Sequence, residues 1–255
     1  MKAAMSQPTP FETEPASPTA FEREVYAMRS LGQDAGEVAA ALARAKPWYE
    51  AFLAEWLPEN RDSVILDVPC GHGNLLYCLT ELGYRAVRGV DADEGQVRMA
   101  QSLRLPAEVG DAFDELESIP LGSVSRIFSV DFLEHVPKSK ALEFCRLSFR
   151  ALEPGGWLVC RTPAADGPFG AADRYNDVTH EWGMTSSAAF AFFKLAGFSV
   201  ITVRDEAPVP YKWVNRVRRV MYTITTKALS ASLNLVGIGA PAIWTRSMWI
   251  AARKP

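Results

Sequence analysis

The sequence predicts an α/β domain in which a mostly parallel sheet is flanked by helices. Three observations carry the prediction. Between residues 63 and 203, short apolar runs alternate with helical segments, the pattern of strands joined by crossover helices. The first of these runs, SVILDV (63–68), ends in an acid and leads directly into the glycine-rich turn PCGHGN. The chain has 255 residues, 48% hydrophobic and 22% charged, which suits one substantial domain and is short for two.

The elements follow in order. Residues 1–24 carry Pro8, Pro10, Pro15 and Pro18 among Thr, Ser, Ala and Glu. Such a segment buries little apolar surface and reads as a flexible arm. Residues 25–60 read as accessory helices. One covers 34–45, and a second starts at Pro47, a good first-turn residue, and is closed by Pro58. Residues 61–255 form the main domain. After SVILDV come a helix stopped by Gly83, the strand AVRGV (86–90) ending at Asp91, and a helix around 94–102. A short segment to Gly110-Asp111, the strand SRIFSVDF (125–132), a helix over roughly 138–151 and the strand WLVCRT (157–162) follow. A loop of about 20 residues then leads to a helix at 185–197, a strand at 198–203 and a final edge strand within 243–252. No internal repeat is evident.

Several function classes are disfavoured. A net charge of −3 gives no overall basic footprint, so nucleic acid is not an expected partner. Cys70, Cys78, Cys145 and Cys160 form no CxxC pair and no zinc-finger spacing with histidine, so no structural metal is assigned. There is no run of 18 apolar residues, and the first residues lack the apolar core of a secretory signal. A reducing, cytoplasmic setting is expected.

The turn after the first strand is the centre of the functional argument. Glycines there let backbone amides approach a ligand at a helix N-terminus. Asp91 ends the neighbouring strand, in position to accept hydrogen bonds from ribose hydroxyls. That arrangement serves any adenosine-type ligand. The turn Asp67-Val-Pro-Cys-Gly71-His-Gly73-Asn lacks dinucleotide GxGxxG spacing. Asp67 would repel a pyrophosphate but could pair with an ammonium group, or could simply cap the turn.

Over about 63–203 the sequence resembles the class I S-adenosylmethionine-dependent methyltransferases. LDVPCGHG looks like their first motif, with Pro69 where glycine is usual, so a reshaped turn is expected. GVDAD looks like the second, GDAFD the third, SVDFLEHVP the segment after strand four, and LEPGGWLV the turn into strand five. The resemblance implies a Rossmann-like seven-stranded sheet. It also implies S-adenosyl-L-methionine as cofactor, held by Asp67, Gly71, Gly73, Asp91, Ala92, Asp111, Ala112 and Asp131. Asp91 would take the ribose and Asp111 would lie near the adenine amino group, beside Ala112 and Phe113.

The acceptor side is less defined. O-methylation of a sugar hydroxyl wants a general base or a metal, because the hydroxyl is barely ionised at neutral pH. His72 lies in the cofactor turn and is expected to shape it. His135 follows strand four, as a base or as a brace for its loop. His180 lies in RYNDVTHEWGMTS (174–186), which offers Tyr175, Asn176, Asp177, Glu181 and Trp182 to a polyhydroxylated acceptor. Asp177 and His180 are candidates for an orienting acid and a base. A divalent ion at Asp131, Asp177 or His180 is an option without a sequence signature. The stretch 175–198 and the ending MWIAARKP resemble bacterial methyltransferases of polysaccharide or lipopolysaccharide biosynthesis, which implies a sugar or glycan acceptor. Quinones and secondary metabolites remain alternatives, as does a non-catalytic scaffold.

An insert of about 40 residues, near 207–240, precedes the last strand. It reads as a helix pair or one long helix, with a break at Gly237–Gly239. Trp213, Val217, Val220, Ile224 and Ala228 share one side, and Lys212, Arg216, Arg219 and Lys227 lie toward another. Three roles compete: a wall of the acceptor pocket, a homodimer or packing element, and a peripheral membrane contact.

Overall fold

The computed structural model describes Val25 and residues 34–255. The predicted arm at 1–24 lies outside the described residues. The sheet has seven strands: β1 (Ile65–Asp67), β2 (Val87–Asp91), β3 (Ala107–Val109), β4 (Val124–Val130), β5 (Leu152–Pro163), β6 (Val200–Asp205) and β7 (Ser247–Arg253). Their spatial order is β3-β2-β1-β4-β5-β7-β6, parallel except that β7 runs antiparallel to both β5 and β6.

Strand periodicity divides the core into two layers. Leu66, Leu158 and Ile250 point to one face, and their neighbours Ile65, Val159 and Trp249 point to the other. The first face is covered by α4 (Ala112–Ser118), α5 (Lys138–Ala151) and α7 (Ser186–Leu195), through Phe113, Leu116, Phe144 and Phe193. The second is covered by α1 (Ala35–Leu53), α2 (Asn74–Glu81) and α3 (Glu94–Ser102), through Leu42, Leu53, Leu76 and Val97. Strands buried on both faces read as continuous apolar runs, which is why SVILDV showed no alternation.

Helix ends follow local chemistry. Asp34 caps α1 by accepting from the amides of Gly36 and Glu37, Asp93 caps α3 through Gln96, and Thr185 caps α7 through Ala188. Gly83 and Gly197, both at positive φ, follow α2 and α7 as expected of C-terminal glycines.

Two expectations are corrected. The segments split at Pro47 form the single helix α1, with Pro47 inside it. Proline removes one amide donor, but an aromatic stack outweighs that loss: Trp48 lies on Phe52 at 4.9 Å, and Trp48, Phe52 and Trp56 all surround Trp249. The last strand is not an edge. Met248, Trp249, Ile250, Ala251 and Ala252 are fully buried and need cover on both faces, so β7 inserts between β5 and β6. The half-exposed β6 takes the edge. Between β6 and β7 the insert forms one helix, α8 (Trp213–Leu235), not a pair. The loop after β5 contains the short helix α6 (Gly170–Asn176).

Trp249 is therefore the joint between the sheet and its N-terminal cover. Trp249→Ala is expected to cost about 3–5 kcal/mol, the range for large aromatic truncations in cores. Urea unfolding would measure this as a lowered midpoint.

Candidate functional site

A cavity of about 710 Å³ opens at the carboxyl ends of β1, β2, β4 and β5, where ligands of open α/β sheets bind. One half is built around the first turn. The Val68–Pro69 bond is cis, and Gly71 and Gly73 sit at φ +54° and +93°, conformations that glycine adopts without steric cost. The Cys70 amide bonds the Val90 carbonyl at 3.0 Å, which pins the turn to β2. A β-carbon on Gly73 would lie 2.5 Å from Leu105 Cδ1. His72 Nδ1 lies 3.0 Å from Gln96 Oε1, tying the turn to α3.

The predicted cofactor residues gather here. Asp67, Gly71, Asp91, Ala92, Asp111, Ala112 and Asp131 line the cavity, while Gly73 is the first-turn residue behind it that caps α2. Asp91 Oδ2 accepts from the Gly71 amide at 2.7 Å and Oδ1 from the Asp93 amide at 2.9 Å. A carboxylate has about four acceptor positions, so these bonds orient Asp91 and leave it capacity for hydroxyl donors. Burial pushes Asp91 above the usual carboxylate range, opposed by those amides. Asp111 caps α4, accepting from Phe113 and Asp114 at 2.8 and 3.2 Å. Asp67 is 2% exposed, and its Oδ1 has no hydrogen-bond partner among the described residues. Burial, reinforced by the neighbouring Asp91 charge, holds Asp67 well above the usual carboxylate range. A buried, unsatisfied carboxyl facing a cavity calls for a cationic donor. That donor set fits the ammonium, ribose and adenine of S-adenosylmethionine and is unsuited to a pyrophosphate.

Three lining residues were not anticipated. Arg161 on β5 pairs with Asp131 at 2.5 Å and with Glu206, while Trp249 Nε1 donates to Glu206 at 2.7 Å. Asp131, at φ +53°, is turned toward this guanidinium. Tyr49 reaches the cavity from α1, and burial raises its phenol pKa. Glu134 is 1% exposed, and among the described residues neither carboxyl oxygen has a hydrogen bond of good geometry. Burial and the Asp131 charge hold it well above the usual range, against weaker opposing effects of its own amide, Thr162 and Arg161. Arg161 and Tyr49 carried no local motif, because their relevance comes only from the strand and helix packed over the turn.

The other half of the cavity joins the loops after β4 and β5. Asp177 Oδ2 and His180 Nε2 lie 3.8 Å apart, within ion-pair distance but beyond hydrogen-bond reach. Instead Asp177 Oδ1 accepts from the Thr179 amide at 3.0 Å and from its hydroxyl at 2.7 Å, and Thr179 Oγ1 lies 3.0 Å from His135 Nδ1. Asp177 is thus linked to His135 through Thr179, a residue that sequence reasoning missed. His180 Nδ1 donates to the Arg174 carbonyl at 3.2 Å, and its ring meets that of His135 edge-on at 4.6 Å. Asn176 and Glu181 also line the cavity. Two aromatic expectations fail. Tyr175 is 76% exposed and outside the lining. Trp182 donates to the Leu133 and Val136 carbonyls at 3.0 and 2.9 Å, so it braces the two loops instead of offering a stacking face. None of the described residues lining the cavity comes from the insert.

One carboxylate oxygen of Glu134 and one nitrogen each of His135 and His180 lie within 4.8 Å of one another. Two imidazoles and a carboxylate could hold a divalent ion of the zinc or manganese type. Of the residues considered from sequence for such an ion, only His180 belongs to this group.

Comparison with known proteins agrees with this geometry. Residues 38–203, more than half of the chain, match the family model described as "Methyltransferase domain". A tRNA U34 carboxymethyltransferase of Idiomarina loihiensis is 28% identical over 170 residues, covering 62% of this chain and 52% of the relative. The chain thus spans about half the length of that curated relative. Among solved structures, an S-adenosylmethionine-dependent methyltransferase from Archaeoglobus fulgidus superposes with a TM-score of 0.60 at 19% identity, covering 91% of this chain and 99% of the other. Phosphoethanolamine N-methyltransferase 2 of Haemonchus contortus, in complex with S-adenosyl-L-methionine, gives 0.57 at 18% identity, covering 82% and 53%. At these identities the structures share the fold. The family match, on the sheet edge just described, shows that the chain belongs to the methyltransferase-domain family and is a class I S-adenosylmethionine-dependent methyltransferase.

Proposed function

We propose that this enzyme methylates a hydroxyl of a sugar or glycan intermediate in the cytoplasm. The observation that carries the reading is the Asp177–Thr179–His135 chain on the acceptor side of the cavity. Thr179 gives its hydroxyl proton to Asp177, so it can only accept from His135 Nδ1–H. The second ring nitrogen, Nε2, is then the basic one. A base prepared in this way is what a barely ionised hydroxyl requires, whereas an amine would only have to be held neutral. His180, fixed through Nδ1 by the Arg174 carbonyl, stands beside it. The polar wall of Asn176, Asp177 and Glu181 supplies short hydrogen-bonding groups for a polyhydroxylated acceptor.

S-adenosylmethionine, when bound, supplies an electrophilic methyl group on a sulfonium. Asp67 would receive the ammonium, Asp91 would take the ribose hydroxyls, and Ala112 and Phe113 would border the adenine. Asp131, held by Arg161, closes the cavity between cofactor and acceptor halves. His135 would accept the acceptor's proton through Nε2.

His135→Ala and His180→Ala are each expected to lower kcat on a sugar-hydroxyl acceptor by about 10²–10⁴-fold, with the S-adenosylmethionine Kd unchanged by calorimetry. Methylation of quinones or amines, with no sugar hydroxyl accepted across a panel of sugar nucleotides and lipid-linked glycans, would reject the reading. Retained turnover in both histidine variants would remove the base.

Asp67 gives a second test with a defined sign. Its raised pKa favours a proton that competes with the ammonium for the carboxyl, so affinity for S-adenosylmethionine should fall as pH is lowered, and binding should release protons over the pH range in which Asp67 is protonated. Calorimetry in buffers of different ionisation enthalpy would detect the release, and Asp67→Asn should abolish it and weaken binding. The same raised pKa destabilises the ligand-free fold as pH rises above the unfolded carboxylate value. Asp67→Asn should therefore raise the ligand-free Tm at neutral pH, by about 2–4 °C per kcal/mol relieved.

A further inference from the structure

Helix α8 is amphipathic in the inverse sense. None of its 23 residues is buried. Its partly covered positions are polar for the most part: Asn215, Tyr222, Thr223, Thr226 and Ser230. At about 100° per residue these fall on one side of the helix, the side that meets the protein. Tyr222 is the anchor, through a short hydrogen bond from its hydroxyl to Asp205 at the end of β6. The opposite arc carries the apolar side chains. Trp213 is 75% exposed, Val217 53%, Val220 57%, Met221 57% and Ile224 59%. An ordinary surface helix turns that arc to the core, and this one turns it to solvent.

Charge decides between occupants. Arg216 and Lys227 flank the apolar arc on one side, and Arg218 flanks it on the other. No acidic residue follows Glu206 in the chain. A second copy of this helix would bring these uncompensated cations against their own kind, as would any basic partner. A surface that offers an apolar layer beneath a plane of negative charge satisfies both features at once, with tryptophan at the boundary. Among the described residues no helix is long and apolar enough to cross a membrane, so the contact lies in the plane of the surface.

We infer that α8 is an interfacial anchor that docks this enzyme on an anionic lipid bilayer through its outward apolar arc. The anchor point sets the orientation. Asp205 ends β6, in register with Met248 and through it with Thr162 on β5. That is the sheet edge where the catalytic cavity opens, so docking holds this edge near the membrane. The inference does not depend on the acceptor being a glycan.

Sedimentation with vesicles tests it on the full chain. Vesicles of phosphatidylcholine alone and vesicles with one third phosphatidylglycerol would be compared at low and at high salt. Binding is expected to the anionic vesicles, weakened by salt, with little to the neutral ones. Val217→Glu with Ile224→Glu should abolish it. Arg216→Ala, Arg218→Ala and Lys227→Ala together should weaken it on the order of 100-fold. Because these side chains are exposed, both variants should keep the wild-type Tm and S-adenosylmethionine affinity. Absence of binding to anionic vesicles at low salt would overturn the inference. So would concentration-dependent dimerisation in sedimentation velocity that the Val217→Glu, Ile224→Glu variant abolishes, since the arc would then be a contact between copies. Methylation of soluble acceptors is a separate readout that neither result alters.

Discussion

The site depends on how the chain handles a concentration of buried carboxyl groups at one sheet edge. Asp67, Asp91, Asp131 and Glu134 all line one cavity, and burial raises every one of their pKa values. Like charges so placed are costly unless a cation joins them. Arg161 is the cation the protein supplies. Burial works against its charge, yet Asp131 and Glu206 hold it protonated. It also joins the loop after β4, the body of β5 and the segment after β6, and Trp249 fastens Glu206 from β7. Asp67 receives no such partner: its Oδ1 has no hydrogen bond among the described residues, and this unmet carboxyl is the one proposed to take the cofactor ammonium.

The same edge explains why the N-terminal helix belongs to the functional unit. Trp48, Phe52 and Trp56 on and beside α1 pack around Trp249. Arg204 of β6 stacks over Trp56 at 3.8 Å and pairs with Glu55. With that face fixed, Tyr49 is carried to the cavity wall. The packing that fixes the helix thus also sets one wall of the site, and the helix acts as more than cover for the sheet. On the acceptor side, Trp182 does a comparable job by holding the loops after β4 and β5 together, so that His135 and His180 face each other.

Much of the fold was legible because it rests on local rules. Continuous apolar runs marked strands covered on both faces, and glycines at positive φ marked helix ends. Asp67, Gly71 and Asp91 fell at adjacent strand ends by parallel topology alone. The failures share a cause, which is that burial outranked a local signal. Pro47 reads as a helix start, but aromatic packing on Trp249 carries the helix through it. The segment 243–252 reads as an edge by its place in the chain, but the unbroken apolar run Met248–Ala252 within it demands an interior position.

The sequence by itself determined the alternation of elements, the glycine turn with its acids, and a basic amphipathic insert. It could do so because each is written in residues close together along the chain. The tertiary structure decided which groups meet. Arg161 with Asp131 and Glu206, and Asp177 with His135 through Thr179, join residues 30 to 45 positions apart, and Tyr49 shares the cavity with residues as distant as Ser247, and no local period records such distances. It also decided the facing of α8. Helical spacing shows that a helix has two sides, but only its attachment through Tyr222 to Asp205 fixes which side is turned to the solvent.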